Sequence, residues 1–354
     1  MLEAARRELR RMRESTDAWQ ELRHDPDQDG EDRNALRRAR VLWALQYDHG
    51  PGDLALVRLL AEQEAELNEE TGLAGFLLAG YRQVEDVWLH WEIKSTDFDT
   101  WCGYGMEHLV AAGVQRTIDF VRESTHPDRD DVLEYLLGED GRPELPEEEL
   151  AEWFEHRRAT FPADPADENE ITWVARAMRT GDPVLARQWL DRWAAGRPRD
   201  KDTLDMLHYQ LTELGAFAEA AAVQRERLPL AWSTFDSAAR RRDLASLERR
   251  AGDLDAAWAA LRECRRILDD VPGWTGVGLG RTYVEELFRL AAAADGDLSA
   301  TVFAEADRQA RDVPDLPLMV LQAAADAAGK AGDEARAEHY RALGEAERLR
   351  IDLA

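Results

Sequence analysis

The segment RTGDPVLARQWLDRW, residues 179–193, sets a glycine between two stretches of helical periodicity. The same order returns in ELGAFAEAAAVQRER at 213–227, RAGDLDAAWAALREC at 250–264 and KAGDEARAEHYRALG at 330–344. The turn glycines are Gly181, Gly215, Gly252 and Gly332, separated by 34, 37 and 80 residues. The last interval holds two units if AADGDLSATVFAEADRQA, 293–310, is a weaker copy turning at Gly296. A glycine lets the chain reverse between helices where a Cβ would be strained. Five residues after each clear turn stands Ala186, Ala220, Ala257 or Ala337, small enough for paired helices to approach closely. A period in this range marks stacked helix–turn–helix units.

Helical periodicity extends over nearly the whole chain, and the alternating Val, Ile, Thr and Tyr runs of strands are scarce. In LAGFLLAGYRQVEDVWLHWEIK, 73–94, apolar residues recur at three- and four-residue steps. The expected N-terminal helices are 2–22, 34–48, 53–69, 72–94, 105–112, 114–124, 128–138 and 146–160. Pro146 suits a first helical turn, and Glu147, Glu148 and Glu149 complement the positive end of the dipole there. The acidic, proline-bearing FPADPADENE at 161–170 is the expected boundary between an irregular N-terminal region, 1–160, and a repeat region, 161–354. Along the first helix, Leu2, Ala5, Leu9, Met12, Thr16 and Trp19 form a narrow apolar seam, suited to capping the array or to self-association.

Over about 167–350 these features resemble the tetratricopeptide repeat family, with Leu190, Trp193 and Leu261 at its packing positions and Pro198 closing the first unit. The resemblance is degenerate, since the family's first-helix Trp, Leu-Gly pair and Tyr are mostly missing. It implies an all-α fold, a right-handed α-solenoid of antiparallel helix hairpins. It also implies that first helices line a concave groove for a peptide or protein partner. Carried over residue by residue, the groove would present Met178, Arg179, Tyr209, Glu213, Arg242, Arg249, Arg250, Tyr283 and Glu286. The family's carboxylate clamp uses Lys and Asn where this chain has Ile171 and Ala175, so that specificity is not expected.

The 354 residues suffice for two domains or one continuous array, and 44% hydrophobic content suits a folded soluble protein. No apolar run approaches the roughly 18 residues that span a bilayer. The N-terminus is basic without an apolar core, so no signal peptide is expected and the expected location is the cytoplasm. The net charge of −27 opposes sequence-independent nucleic-acid binding and anionic membranes, and it allows a partner with a basic surface. Only Lys94, Lys201 and Lys330 of the 45 basic residues are lysine, a bias of GC-rich bacterial genomes such as those of actinobacteria. Cys102 and Cys264 lie far apart, with no CxxC, and are expected to be buried free thiols.

Three stretches carry candidate chemistry. DVWLHWEIKSTDFDTWCGYGMEH, 86–108, gathers aromatics into either a packed junction or a ligand pocket of Trp91, Trp101, Tyr104 and His108. Cys102 with His90 or His108 supplies residue types for a thiolate nucleophile, but no local signature supports catalysis. GWTGVGLGRT, 273–282, is Gly-rich before a helix, but it follows a helical segment and lacks a Walker lysine, so a connection between repeats is expected. RHDPDQDGEDRN, 23–34, opens like an EF-hand calcium loop, with Asp25, Asp27 and Asp29 as side-chain ligands and Gly30 at the turn. Leu36 replaces the bidentate Glu and Arg33 puts a positive charge at a ligand position, so a solvated acidic connector is expected, with weak calcium binding as the alternative.

The eight histidines form no HExxH or metal-spaced pair, and no cofactor is expected. Repeat spacing without catalytic signatures points to a non-enzymatic interaction scaffold. Two alternatives stay open: a ligand- or peptide-sensing regulator, and an acidic inhibitory or immunity-like protein that covers a basic target.

Overall fold

A computed structural model describes residues 1–64 and 68–352. Among the described residues the regular structure is helical, with isolated antiparallel bridges at Pro26–Asp32 and Leu137–Pro143 and no strand. The chain divides into two compact units, Met1–Asp182 and Pro183–Ala354.

The first unit begins with α1 (Leu2–Glu14), whose seam residues Ala5, Leu9 and Met12 are buried against α2 (Ala35–Asp48). The expected helix 2–22 breaks at extended Ser15. Ser15 Oγ accepts from the Asp17 N–H and starts a 3-10 turn, Thr16–Leu22, and the Trp19 indole donates to the Met12 carbonyl at 2.9 Å. Next come α3 (Leu54–Gln63), α4 (Glu69–Gly80) and α5 (Val87–Lys94). Residues 65–67 of the expected helix 53–69 lie outside the described residues. The expected helix 72–94 is two helices, because α4 ends at Gly80 and Arg82 takes a left-handed φ of 54°. α4 buries residues all round, including Leu73, Ala74, Leu77 and Leu78, as a helix between two layers must.

The unit continues through α6 (Phe98–Gly103), α7 (Met106–Leu109), α8 (Val114–Glu123), α9 (Arg129–Leu136), α10 (Glu147–Thr160) and α11 (Glu170–Arg179). Two apolar clusters fill it, one built on α1–α4 and one on α5 and α7–α10, and Phe76 packs against both. α11 closes the unit, and its Arg176 is 1% exposed. The Arg176 guanidinium donates to Tyr47 Oη at 2.8 Å and Gln46 Oε1 at 2.7 Å, beside Glu168 at 3.8 Å. That buried polar knot holds α11 in the first unit, which runs to Asp182.

The second unit contains α12 (Pro183–Ala194), α13 (Lys201–Glu213), α14 (Phe217–Arg227), α15 (Thr234–Ala251), α16 (Leu254–Leu268), α17 (Gly278–Ala293), α18 (Gly296–Ala310), α19 (Leu318–Lys330) and α20 (Glu334–Asp352). Gly181, Gly215, Gly252 and Gly332 have φ of 72°, 71°, 88° and 77°. Each donates to the carbonyl three residues back, and the next residue donates five back: Asp182 to Ala177, Ala216 to Leu211, Asp253 to Glu248 and Asp333 to Ala328, all at 2.9 Å. This is the Schellman termination, repeated at every clear turn read from the sequence. Ala186, Ala220, Ala257 and Ala337 are each 0% exposed. The weaker copy differs: Gly296 is positive in φ but starts α18, and Thr301, five residues on, is exposed.

α13 packs on α14, α15 on α16, α17 on α18 and α19 on α20. Successive first helices also meet, α15 with α17 and α17 with α19. Cys264 is buried, its Sγ 3.3 Å from the Ala238 carbonyl, and burial pushes its thiol up to about 12. Cys102 departs from expectation: it is exposed, on the short α6 whose Phe98 and Trp101 are also exposed.

Candidate functional site

Three first helices of the second unit share a trough of about 880 Å³. α15 contributes Ser246, Arg249 and Arg250; α17 contributes Arg289, Ala292 and Ala293; α19 contributes Met319, Gln322, Ala323 and Asp326. These positions follow i, i+3, i+4 steps, so each helix offers one face. Ser246, Ala292, Ala293 and Ala323 are short and leave room, while Arg250, Arg289 and Met319 project as exposed walls.

The arginines differ in what holds them. Arg249 is bound to Glu286, with Nε to Oε1 at 2.7 Å. Arg289 pairs with Glu285, one turn earlier, at 2.5 Å. Arg250 lies 3.9 Å over the Phe217 ring and has no carboxylate partner among the described residues. A cation on an aromatic face keeps its N–H donors free for a further acceptor.

Of the residues expected to face a groove, Arg249 and Arg250 lie on this trough. Tyr283 and Glu286, expected beside them, are 0% and 4% exposed and sit in the core. Tyr283 packs edge-on against Trp274 at 5.9 Å. The open face of α17 carries Arg289, Ala292 and Ala293. Arg242 pairs with its neighbour Asp243 at 2.9 Å. Tyr209 and Glu213 are exposed on α13. Met178 and Arg179 belong to the first unit, where Arg179 binds the buried Glu70. Arg289 and Met319 were missed because nothing local marks which residue of an Ala- and Leu-rich helix faces outward.

The aromatic stretch is packed. Tyr104 and His108 stack at 4.0 Å, Trp91 meets Trp101 edge-on at 5.8 Å, and both tryptophans touch Tyr135. His90, Tyr104 and His108 are at most 2% exposed, while Trp101 is exposed at the edge. His108 Nδ1 faces the Gly105 carbonyl at 3.2 Å, so its Nε2 is the buried atom left without a partner. Burial holds His90 down to about 3 and His108 well below its ordinary value, so both rings are neutral. Neither reaches the exposed Cys102 through a described hydrogen bond, and no thiolate–imidazole pair is assembled.

The acidic loop is a closed turn. Asp27 Oδ1 accepts from the Asp29 and Glu31 N–H groups at 2.8 and 3.0 Å. Asp25 pairs with Arg33 at 3.5 Å. Asp32, which matches no ligand position, is the hub: it accepts from the Asp25 and Asn34 N–H groups and binds the buried Arg38 at 2.5 Å. Asp25, Asp27 and Asp29 do not converge, and no cluster of His, Cys, Asp and Glu among the described residues could hold a metal. The Gly-rich segment 273–282 is a close connection: a Cβ at Gly280 would stand 2.5 Å from the Trp274 carbonyl oxygen.

No protein-family model, curated protein or solved structure matches the chain. No described helix is long and apolar enough to cross a membrane.

Proposed function

We propose that this chain is a non-enzymatic helical-repeat scaffold, tetratricopeptide-like in build, that holds an acidic segment of a partner protein in the α15–α17–α19 trough. The recurring Schellman turns and the packing of successive first helices support a solenoid of hairpins. The observation that carries the binding role is Arg250, exposed, seated on Phe217 and without a carboxylate partner among the described residues. Arg and an exposed Met beside short residues form an anchor set for one or two carboxylates and an apolar side chain.

The test is a selection of binders from a peptide display library, followed by affinities for Arg250→Glu, Arg289→Glu and the double variant. Recovered sequences should be rich in Asp and Glu, and the double variant should lose at least about tenfold. Salt should weaken binding, since these arginines are exposed. A double variant that folds and binds the recovered peptides unchanged would remove the trough from the reading.

A further inference from the structure

Phe76 stands between the two apolar clusters of the first unit, and one side of it opens on a cleft of about 310 Å³. The volume is at the low end of small-molecule sites. Phe76, Leu77, Phe154 and Phe161 line it with apolar surface. Phe76 and Phe161 stack at 5.8 Å along one wall. Gln46 is committed, donating to the Pro162 carbonyl at 3.0 Å and to Glu168 at 2.8 Å and accepting from Arg176 at 2.7 Å.

Two arginines complete the lining, Arg82 after α4 and Arg158 on α10. Arg82 is one of two non-glycine residues among the described residues with positive φ, at 54°. A side chain in that region is strained, and such strain clusters at ligand clamps. The left-handed turn carries its guanidinium 3.7 Å over the Phe154 ring, where one N–H meets the Ala111 carbonyl at 2.6 Å. Arg158 approaches the same ring at 5.9 Å, and its one carboxylate contact among the described residues is with exposed Glu155. Burial, then the charge of Arg158, press the Arg82 guanidinium below its ordinary value. Arg82 has no carboxylate partner among the described residues. Two like charges thus approach one aromatic ring beside an apolar hole, and an anion between them would relieve their repulsion.

The geometry points to a binding site for a small monocarboxylate with an aromatic or aliphatic body, its apolar part against Phe76 and Phe161 and its carboxylate between Arg82 and Arg158. Charge complementarity fixes the carboxylate, and the apolar lining distinguishes the ligand from a bare inorganic anion.

Isothermal titration of the full chain with 4-phenylbutyrate, 4-phenylbutan-1-ol and inorganic phosphate tests the assignment. Saturable one-site binding of the acid is expected, with the alcohol weaker by about tenfold or more. Arg82→Gly, which suits the left-handed backbone, and Arg158→Gln should each weaken the acid about tenfold and leave the alcohol unchanged. Thermal unfolding checks that both variants fold; should Arg82→Gly fail, the exposed Arg158→Gln carries the test alone. Absence of saturable binding by 4-phenylbutyrate, equal binding of acid and alcohol, phosphate binding as tight as the acid, or binding unchanged in the folded variants would each overturn it.

Discussion

Arg249 grips Glu286 with two guanidinium nitrogens, at 2.7 and 3.3 Å, and so ties α15 to α17 beneath the trough. The Glu286 side chain is 5% exposed and that of Arg249 16%. Removing one partner of such a pair leaves a buried charge uncompensated. Arg249→Ala should therefore cost about 3 kcal/mol in urea unfolding. Arg250→Ala, whose guanidinium has no ion partner among the described residues, should stay within about 0.5 kcal/mol. Equal effects would mean that the Arg249–Glu286 bond is not a structural tie. Charge reversal at Arg249 is thus a poor probe of binding, and Arg250 and Arg289 are the positions to reverse.

Two glycines three residues apart should respond in opposite directions. Gly332 terminates α19 at φ 77°, and its N–H is bound to the Gly329 carbonyl. Gly332→Ala forces a Cβ into the left-handed region and should destabilise by about 1–2 kcal/mol. Gly329 lies inside the helix with open space where a Cβ would stand. Gly329→Ala should stabilise by about 0.5–1 kcal/mol through the lower entropy of the unfolded chain. Thermal melts of the two variants read both signs.

The repeat turns were legible because one residue type does one local job. Glycine at positive φ and alanine at a crowded contact leave marks that need no knowledge of distant residues. The helix breaks were less legible. Nothing in the sequence around Gly80 shows that Arg82 adopts the strained conformation, and Ser15 caps a helix inside what reads as a continuous seam. The trough was half legible: Arg249 and Arg250 fell on it, while Tyr283 and Glu286 turned inward, because periodicity fixes the pitch of a helix and not its rotation. The place of α11 in the first unit was not legible, because Arg176 reads as a surface residue until its partners Gln46 and Tyr47, over a hundred positions earlier, are brought to it.

His90 and His108, 5.8 Å apart and fully buried, should make stability fall as the medium turns acid. Their folded pKa values lie below the unfolded value near 6.5, so the unfolded chain binds more protons between that pH and about 3. Stability is therefore complete above about pH 6.5 and declines below it, by up to about 1.4 kcal/mol per pH unit for each histidine. Urea midpoints at pH 7 and pH 5.5 measure the slope. His108→Phe keeps a ring between Tyr104 and Trp153 and removes the unpartnered Nε2. It should leave stability at pH 7 within about 1 kcal/mol and halve the acid slope. A variant with the wild-type slope would place the acid sensitivity elsewhere.

The acidic loop should depend on Asp32 and ignore calcium. Asp27 Oδ1 is occupied by two backbone N–H groups, and Asp25 by Arg33, so a cation would have to break the turn to collect them. Burial by itself would raise the Asp32 carboxyl, but the Asp25 and Asn34 N–H groups and Arg38 outweigh it and lower the group to about 2. With a folded pKa below the unfolded value near 3.9, its contribution is present above about pH 4 and is lost as pH falls towards 2. Asp32→Asn at pH 7 should cost about 2 kcal/mol, because Arg38 keeps Glu64 at 2.8 Å but loses its second carboxylate. Asp27→Ala should cost about 1 kcal/mol, the value of a side chain that holds a turn. Both losses should be the same with calcium or with a chelator, and calorimetry of the parent chain with calcium should show no binding heat. A calcium-dependent rise in Tm that disappears in Asp27→Ala would reverse this reading, since it would require the three carboxylates to swing together around an ion.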